Sequence, residues 1–178
     1  MNLAIVGDGD LAQAIADAVQ DQYTVTMFGR RHTDLVQKSQ CDQLITQLMS
    51  FDNVLFTAGL YNTDMWDMWT VNTVAPCYIT SQLVTNDYSG HVIVVSSHAA
   101  NWTSWPGVDI NRLTYNNSKH AVSNFIKGIQ QAKVIGRYSL LEPSQFQSRM
   151  GGDSGHTIET VVGAVNYLLE NPARSITV

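Results

Sequence analysis

The sequence predicts an α/β fold: a doubly wound parallel sheet forming one domain over residues 1–178. Three observations predict it. Short apolar runs of strand length alternate with longer segments of helical period along the chain. A strand, a glycine turn, a helix and a second strand open it in direct succession, which is a βαβ unit and implies parallel pairing. The composition is 44% hydrophobic and 14% charged in 178 residues, enough apolar material to bury one core.

"NLAIV" (2–6) is a short apolar run before Gly7, as expected of a buried strand. In "LAQAIADAVQ" (11–20), Leu11, Ala14, Ile15, Ala18 and Val19 recur at helical spacing. "YTVTMF" (23–28) is β-branched and aromatic, a second strand. Residues 31–51 are expected to hold one or two short helices and a stub of strand. "NVLFTAG" (53–59) is a strand entering a turn. Residues 64–84 read as one long helix that Pro76 kinks or starts. "HVIVVSS" (91–97) is a strand. Residues 113–132 form a helix with Ala121, Val122, Phe125, Ile126 and Ile129 on one stripe. "GRYSLLEP" (136–143) is a strand, residues 157–171 a helix opened by a Thr157 cap with a glutamate nearby, and "SITV" a last strand.

The net charge is −5 and no run of Lys and Arg appears, so neither nucleic acid nor an anionic membrane is an expected partner. No segment approaches the roughly 20 apolar residues that span a bilayer, and the N-terminus lacks the pattern of a signal peptide. Cys41 and Cys77 make no disulfide framework. A cytoplasmic setting is expected. His32, His91, His120 and His156 show no metal-ligand spacing, so no metal site is expected.

Ligands of such sheets bind outside the carboxyl ends of the strands. After the first strand comes "GDGDLA", in which Gly7, Gly9 and Ala12 fit G-x-G-x-x-G/A. Gly7 makes the tight turn, Gly9 lets backbone approach a pyrophosphate, and Ala12 allows close packing of helix on strand. That is a Rossmann-like dinucleotide signature, against the alternative of a purely structural turn. Asp8 and Asp10 add negative charge there; Asp10 is expected to cap the helix with Gln13 in a capping box, and Asp8 to point to solvent. The second strand ends in "FGRR" with no carboxylate for the ribose of NAD. Arg30 and Arg31 instead favour the 2′-phosphate of NADP, Arg30 more than Arg31, with NAD still possible; solvated arginines are the alternative.

"YNNSK" places Tyr115 and Lys119 one helical turn apart on one face. A phenol has a pKa of about 10, and a neighbouring ammonium lowers it toward the working range of a general acid/base. Ser97 stands at the end of "VVSS", and Asn72 lies in the helix before that strand. Six motifs then occur in a fixed order: "GDGDLA", "TAG" (57–59), "VNTVAP" (71–76), "VVSSHAA", "YNNSK" and "LEPS" (141–144). In this ordered set the chain resembles the short-chain dehydrogenase/reductase family over almost its whole length. The resemblance implies a tetrad. Tyr115 would exchange the proton, Lys119 would hold the nicotinamide ribose and the phenol's pKa, Ser97 would bond the substrate oxygen, and Asn72 would hold a water linked to Lys119. It implies cofactor contacts from Gly7, Gly9, Asp10, Leu11, Arg30, Arg31, Asp42, Ala58, Gly59 and Pro143, besides Tyr115 and Lys119. Asp42 would contact adenine.

The chain is shorter than a usual member, chiefly over 31–51 and 59–72 and in the loop after Pro143. Trp102, Trp105 and Pro106 either wall the pocket or anchor a loop. His98 is discounted as a partner of Ser97, since neighbours on a strand face opposite sides. The expected function is NADP-dependent interconversion of a carbonyl and an alcohol. The alternative is a sensor or scaffold that binds NADP(H) without turnover. A homodimer or homotetramer is expected through the helices at 64–84 and 113–132, whose apolar faces need cover in so small a domain.

Overall fold

The apolar runs become strands buried on both sides, which is why they read as continuous rather than alternating. The computed structural model describes residues 1–61, 64–101, 109–147, 155–172 and 175–178. Six parallel strands, β1 (Asn2–Val6), β2 (Thr24–Phe28), β3 (Asn53–Phe56), β4 (His91–Val95), β5 (Arg137–Glu142) and β6 (Ser175–Thr177), form one sheet in the order β2-β1-β3-β4-β5-β6. Only the edge strands β2 and β6 carry many exposed side chains.

Alternation within β1 assigns the two layers. Ala4 and Val6 pack with Leu44, Ile79 and Ile126, while Leu3 and Ile5 pack with Ile15, Val165 and Leu168. Helices α2 (Lys38–Leu48), α4 (Ala75–Thr85) and α5 (Ile110–Gln131) therefore cover one face, and α1 (Asp10–Val19) and α6 (Ile158–Glu170) the other. The chain winds outward from β1 to β2 and from β3 to β6 in opposite directions. The switch point between β1 and β3 leaves a crevice at the strands' carboxyl ends.

Several expectations need correction. Residues 31–51 contain one helix, α2, and no strand, so β2 itself is the sheet edge. Asp10 does not cap α1: Gly9 is the cap residue, its carbonyl accepts the Gln13 N–H at 3.1 Å, and no capping box forms. Instead the Gln13 amide donates to Asp17. The helix over 64–84 runs on to Thr85 but is not regular. A short α3 (Met65–Trp69), capped by Asp64, passes through a π-helical turn (Thr70–Val74) into α4. There the Ala75 N–H reaches back five residues to Thr70. Pro76 has no N–H for the carbonyl four residues before it, so the regular ladder is interrupted at this point. Helix α5 starts at Ile110, three residues before the expected start at 113, because the Asp109 carboxylate accepts the Arg112 N–H at 2.8 Å. Thr157 stands at the N-cap position of α6, but its side chain makes no capping bond to the helix backbone and acts on the Glu159 carboxylate instead. Trp102, Trp105 and Pro106 lie outside the described residues. No helix among the described residues is long and apolar enough to cross a membrane.

His91 opens β4 with no exposed surface; its Nε2 lies 2.8 Å from Ser139 Oγ and its Nδ1 has no partner among the described residues. Burial, with the charge of Arg137 adding to it, lowers its pKa to about 4. An unfolded histidine titrates near 6.5, so the unfolded chain binds the proton first as pH falls. The stability contributed by the neutral ring is thus complete above about pH 6.5 and lost on the way to pH 4, an amount of about 3 kcal/mol. Urea unfolding at pH 7 and pH 4 checks this. The His91→Gln variant is expected to lose that part of the pH dependence, and an unchanged dependence would refute it.

Candidate active site

The floor of the crevice is the turn after β1. The Val6 carbonyl accepts the N–H groups of Thr57 at 3.0 Å and Ala58 at 2.9 Å, and the Gly7 N–H donates to the Phe28 carbonyl at 3.0 Å. Gly7 has φ +139°, and a Cβ there would collide with Thr57 Oγ1 and come within 2.9 Å of the Ala58 nitrogen. Glycine is required by the protein itself at this position. Gly9 differs, since a Cβ on it would meet no atom within 4 Å. The open space belongs to a cavity of about 690 Å³ that Gly7, Gly9, Asp10, Leu11, Ala58 and Gly59 line.

At the end of β2, Arg30 lines the cavity and Arg31 does not. Asp8 is exposed, but its carboxylate does not simply face solvent. It lies against Gly29, and Oδ2 accepts the Arg30 backbone N–H at 3.2 Å. Asp42 is misplaced by the sequence argument. Its carboxylate is held at the surface by the Lys38 ammonium at 2.8 Å and the Tyr78 hydroxyl at 2.6 Å, outside the cavity, and these bonds keep its pKa low. The wall expected of it is made by Thr33, Asp34, Leu35 and Val36. Pro143 also stands back from the cavity; its carbonyl accepts the His98 N–H at 2.8 Å, and Ser144, Gln145 and Phe146 line the cavity instead.

Tyr115 and Lys119 project into the same cavity from α5. Ser97 is the polar neighbour that acts to lower the pKa of the Tyr115 phenol. Ser96, not Ser97, is among the residues lining the cavity, but its hydroxyl is already engaged: it donates to the Lys119 carbonyl at 2.9 Å and accepts from Ser123 at 2.7 Å. The Ser96 hydroxyl thus serves the packing of α5 on β4. Lys119 is buried, and its Nζ donates to the Val95 carbonyl at 3.3 Å while lying 5.9 Å from the centre of the Tyr115 ring. Burial lowers its pKa to about 8. The expectation that Lys119 pulls the phenol's pKa down is not met in this arrangement. Burial raises the Tyr115 pKa, and the opposing influence is the Ser97 hydrogen bond.

Asn72 sits in the π-helical turn behind the cavity wall. Its amide accepts the Leu60 N–H at 2.7 Å, and donates to the Leu60 carbonyl at 2.8 Å and to Ser118 at 3.1 Å. The side chain clamps the loop after β3 to α5. Sequence reasoning missed Tyr61, Arg112 and Asn116. Tyr61 meets the Tyr115 ring edge-on at 5.5 Å. The buried Asn116 Nδ2 has no partner among the described residues, and Asn116 lines the cavity, as Arg112 does. Their spacing from Tyr115 was the available signal, since 112, 115, 116 and 119 share one helical face. His98 was discounted on strand alternation, yet it opens a 3₁₀ turn (His98–Asn101) and lines the cavity. No group of three or more His, Cys, Asp or Glu side chains gathers as for a metal among the described residues.

Fold and crevice together define a class: the chain has the Rossmann-like fold found in short-chain dehydrogenase/reductases. No family model matches the sequence, and no curated protein matches it. Among solved structures, BdcA in complex with NADPH is similar at a TM-score of 0.81 and 14% identity, over 99% of this chain and 92% of that one. 4-Hydroxyisoleucine dehydrogenase complexed with NADH is similar at a TM-score of 0.79 and 14% identity, over 100% and 97%. A short-chain dehydrogenase/reductase from Serratia marcescens is similar at a TM-score of 0.73 and 17% identity, over 99% and 96%.

The two glycines of the turn are separable by experiment. Gly7→Ala is expected to lower stability by about 1–3 kcal/mol, because it forces a strained conformation and a backbone clash. Gly9→Ala is expected to leave thermal unfolding unchanged. Equal melting temperatures for both variants would contradict the assignment of Gly7.

Proposed function

We propose that the protein is an oxidoreductase that interconverts a carbonyl and an alcohol with a nicotinamide dinucleotide, NADP(H) being the form that Arg30 supports. One observation carries the reading. Tyr115 and the buried Lys119 share a cavity with the glycine turn, and Ser97 acts on the Tyr115 phenol from just outside its lining. The residues fit a dinucleotide: Gly9 leaves open space where α1 begins, and helix N-terminal N–H groups suit a pyrophosphate. The unpartnered Asn116 amide is a donor that a ligand would satisfy. BdcA with NADPH and 4-hydroxyisoleucine dehydrogenase with NADH support a nicotinamide cofactor of either kind.

When bound, the reduced cofactor supplies a hydride to the carbonyl carbon. The chain's own groups manage the oxygen. Tyr115, kept neutral by burial, gives its proton to the carbonyl oxygen as negative charge develops there. Ser97 donates to the same oxygen and then to the phenolate left behind. Lys119, with a pKa of about 8, is an ammonium at pH 7 and offsets the phenolate charge from one turn away. In the oxidative direction the phenolate takes the alcohol proton back. The two free cysteines support a reducing, cytoplasmic setting.

Association with a second copy, as a homodimer or homotetramer, belongs to the same proposal. Met65 and Trp66 on α3, Val74 in the π-helical turn, and Ile110 and Leu113 on α5 are exposed apolar side chains on helices that pack together. Light scattering of the purified chain is expected to give a dimer or tetramer, and a monomer would overturn this part.

Tyr115→Phe is expected to reduce turnover by about 10²–10⁴-fold while cofactor affinity stays nearly constant. Undiminished activity would remove the assignment. Binding without turnover in the native chain, across a broad panel of carbonyl compounds, would favour the sensor or scaffold reading. Arg30→Ala is expected to weaken NADPH binding far more than NADH binding; equal losses would end the 2′-phosphate assignment.

A further inference from the structure

We propose that Asp8 is the acceptor for the ribose hydroxyls of the cofactor's adenosine half, so that the cavity takes NAD(H) as well as NADP(H). The inference rests on the oxidoreductase reading and specifies its cofactor site.

The end of β2 is where a dinucleotide fold presents an acid to the ribose diol. Here that segment reads Phe28-Gly29-Arg30-Arg31 and contains none. The structure delivers a carboxylate to the same place from the turn after the neighbouring strand, β1. Asp8 stands between the two glycines of the turn and reaches across to β2, where Oδ2 accepts the Arg30 N–H at 3.2 Å. Gly29 makes room for it: a Cβ at that position would come within 2.7 Å of Asp8 Cβ and 2.8 Å of its carboxyl carbon. The position is therefore fixed by one backbone hydrogen bond and one missing side chain. Asp8 and Arg30 both line the cavity.

A carboxylate has about four lone-pair sites, and one backbone N–H occupies one of them. The remainder suit a vicinal diol, whose two hydroxyls donate. The same charge opposes a 2′-phosphate, while the Arg30 guanidinium on the same wall attracts it. The two determinants pull in opposite directions, and neither form of the cofactor is excluded. Asp34 also lines the cavity, but its Oδ1 is turned back onto its own loop, where it accepts the Val36 N–H at 3.2 Å. Asp8 is the carboxylate that joins the glycine turn to the end of β2.

The test is titration of the purified 178-residue chain with NADH and with NADPH, followed by quenching of its tryptophan fluorescence at fixed ionic strength. The native chain is expected to bind both within about tenfold of each other. Asp8→Asn keeps the size of the side chain and an acceptor for the Arg30 N–H; Asp8→Ala removes both. Each is expected to weaken NADH several-fold and tighten NADPH, moving the ratio of the two dissociation constants by about tenfold or more. A ratio unchanged in both variants, with NADPH still bound, would overturn the role of Asp8 and leave the oxidoreductase reading standing. Binding of NADPH with no binding of NADH by the native chain would also overturn it. Failure of the native chain to bind either would overturn both.

Discussion

Three strand ends are tied together at one carbonyl and one N–H. The Val6 carbonyl takes the N–H groups of Thr57 and Ala58, and the Gly7 N–H goes to Phe28. This small set of bonds brings the exits of β1, β2 and β3 into register and fixes where the crevice opens. It also explains the glycine. The φ of +139° and the closeness of Thr57 leave no place for a side chain at residue 7, so the strand can turn into α1 only there. The walls of the cavity follow from this turn: α1 begins beside it, β2 delivers Arg30, and the exit of β3 delivers Ala58 and Gly59.

The other half of the cavity depends on how α5 is held to β4. A buried ammonium is costly to desolvate, and Lys119 is buried with a single long contact to an acceptor among the described residues, the Val95 carbonyl. The surrounding polar bonds keep the helix in place. Ser96 and Ser123 bind the Lys119 segment to the end of β4, while Asn72 and Thr73 bind Ser118 to the π-helical turn. The π turn and the phenol-bearing helix are thus one polar assembly, and the irregular backbone sits where the assembly needs an inward-facing amide. The Tyr115 phenol stands beside this assembly, with the Tyr61 ring against it and Ser97 acting to lower its pKa.

Much of this was legible in the sequence for a simple reason. Strands buried on both faces and helices with one apolar stripe leave periodicities that survive any detail of packing, so β1, β4, α1 and α6 are found within a residue or two. The glycine turn was legible because its geometry demands particular residues. Failures came where a side chain's role depends on what lies across space. Asp42 and Asp34 are equally acidic in sequence, and only Lys38 and Tyr78 decide that the first is a surface ion pair. Asp8 was assigned to solvent because its partner is a backbone N–H 22 positions away, which no local pattern encodes. His98 was misjudged because the strand stops at Val95, and alternation ceases to apply two residues before the end of the motif.

The distribution of charge around the cavity bears on how an anionic ligand is held. Asp8, Asp10 and Asp34 share one end with Arg30, while His98, Arg112 and Lys119 lie toward the other. The chain as a whole carries −5. Long-range steering therefore does not draw a dinucleotide in. On the proposed reading, retention must come from short-range donors: the N–H groups where α1 begins, the Arg30 side chain and the Asn116 amide. Such contacts act within a few ångströms and reward exact shape. Small changes at residue 8 or 30 then govern which cofactor is preferred, and the basic end of the cavity remains for the substrate. Two carboxylates beside a pyrophosphate are tolerable in this arrangement because one of them, Asp8, is anchored to the β2 backbone at a fixed distance rather than free to approach.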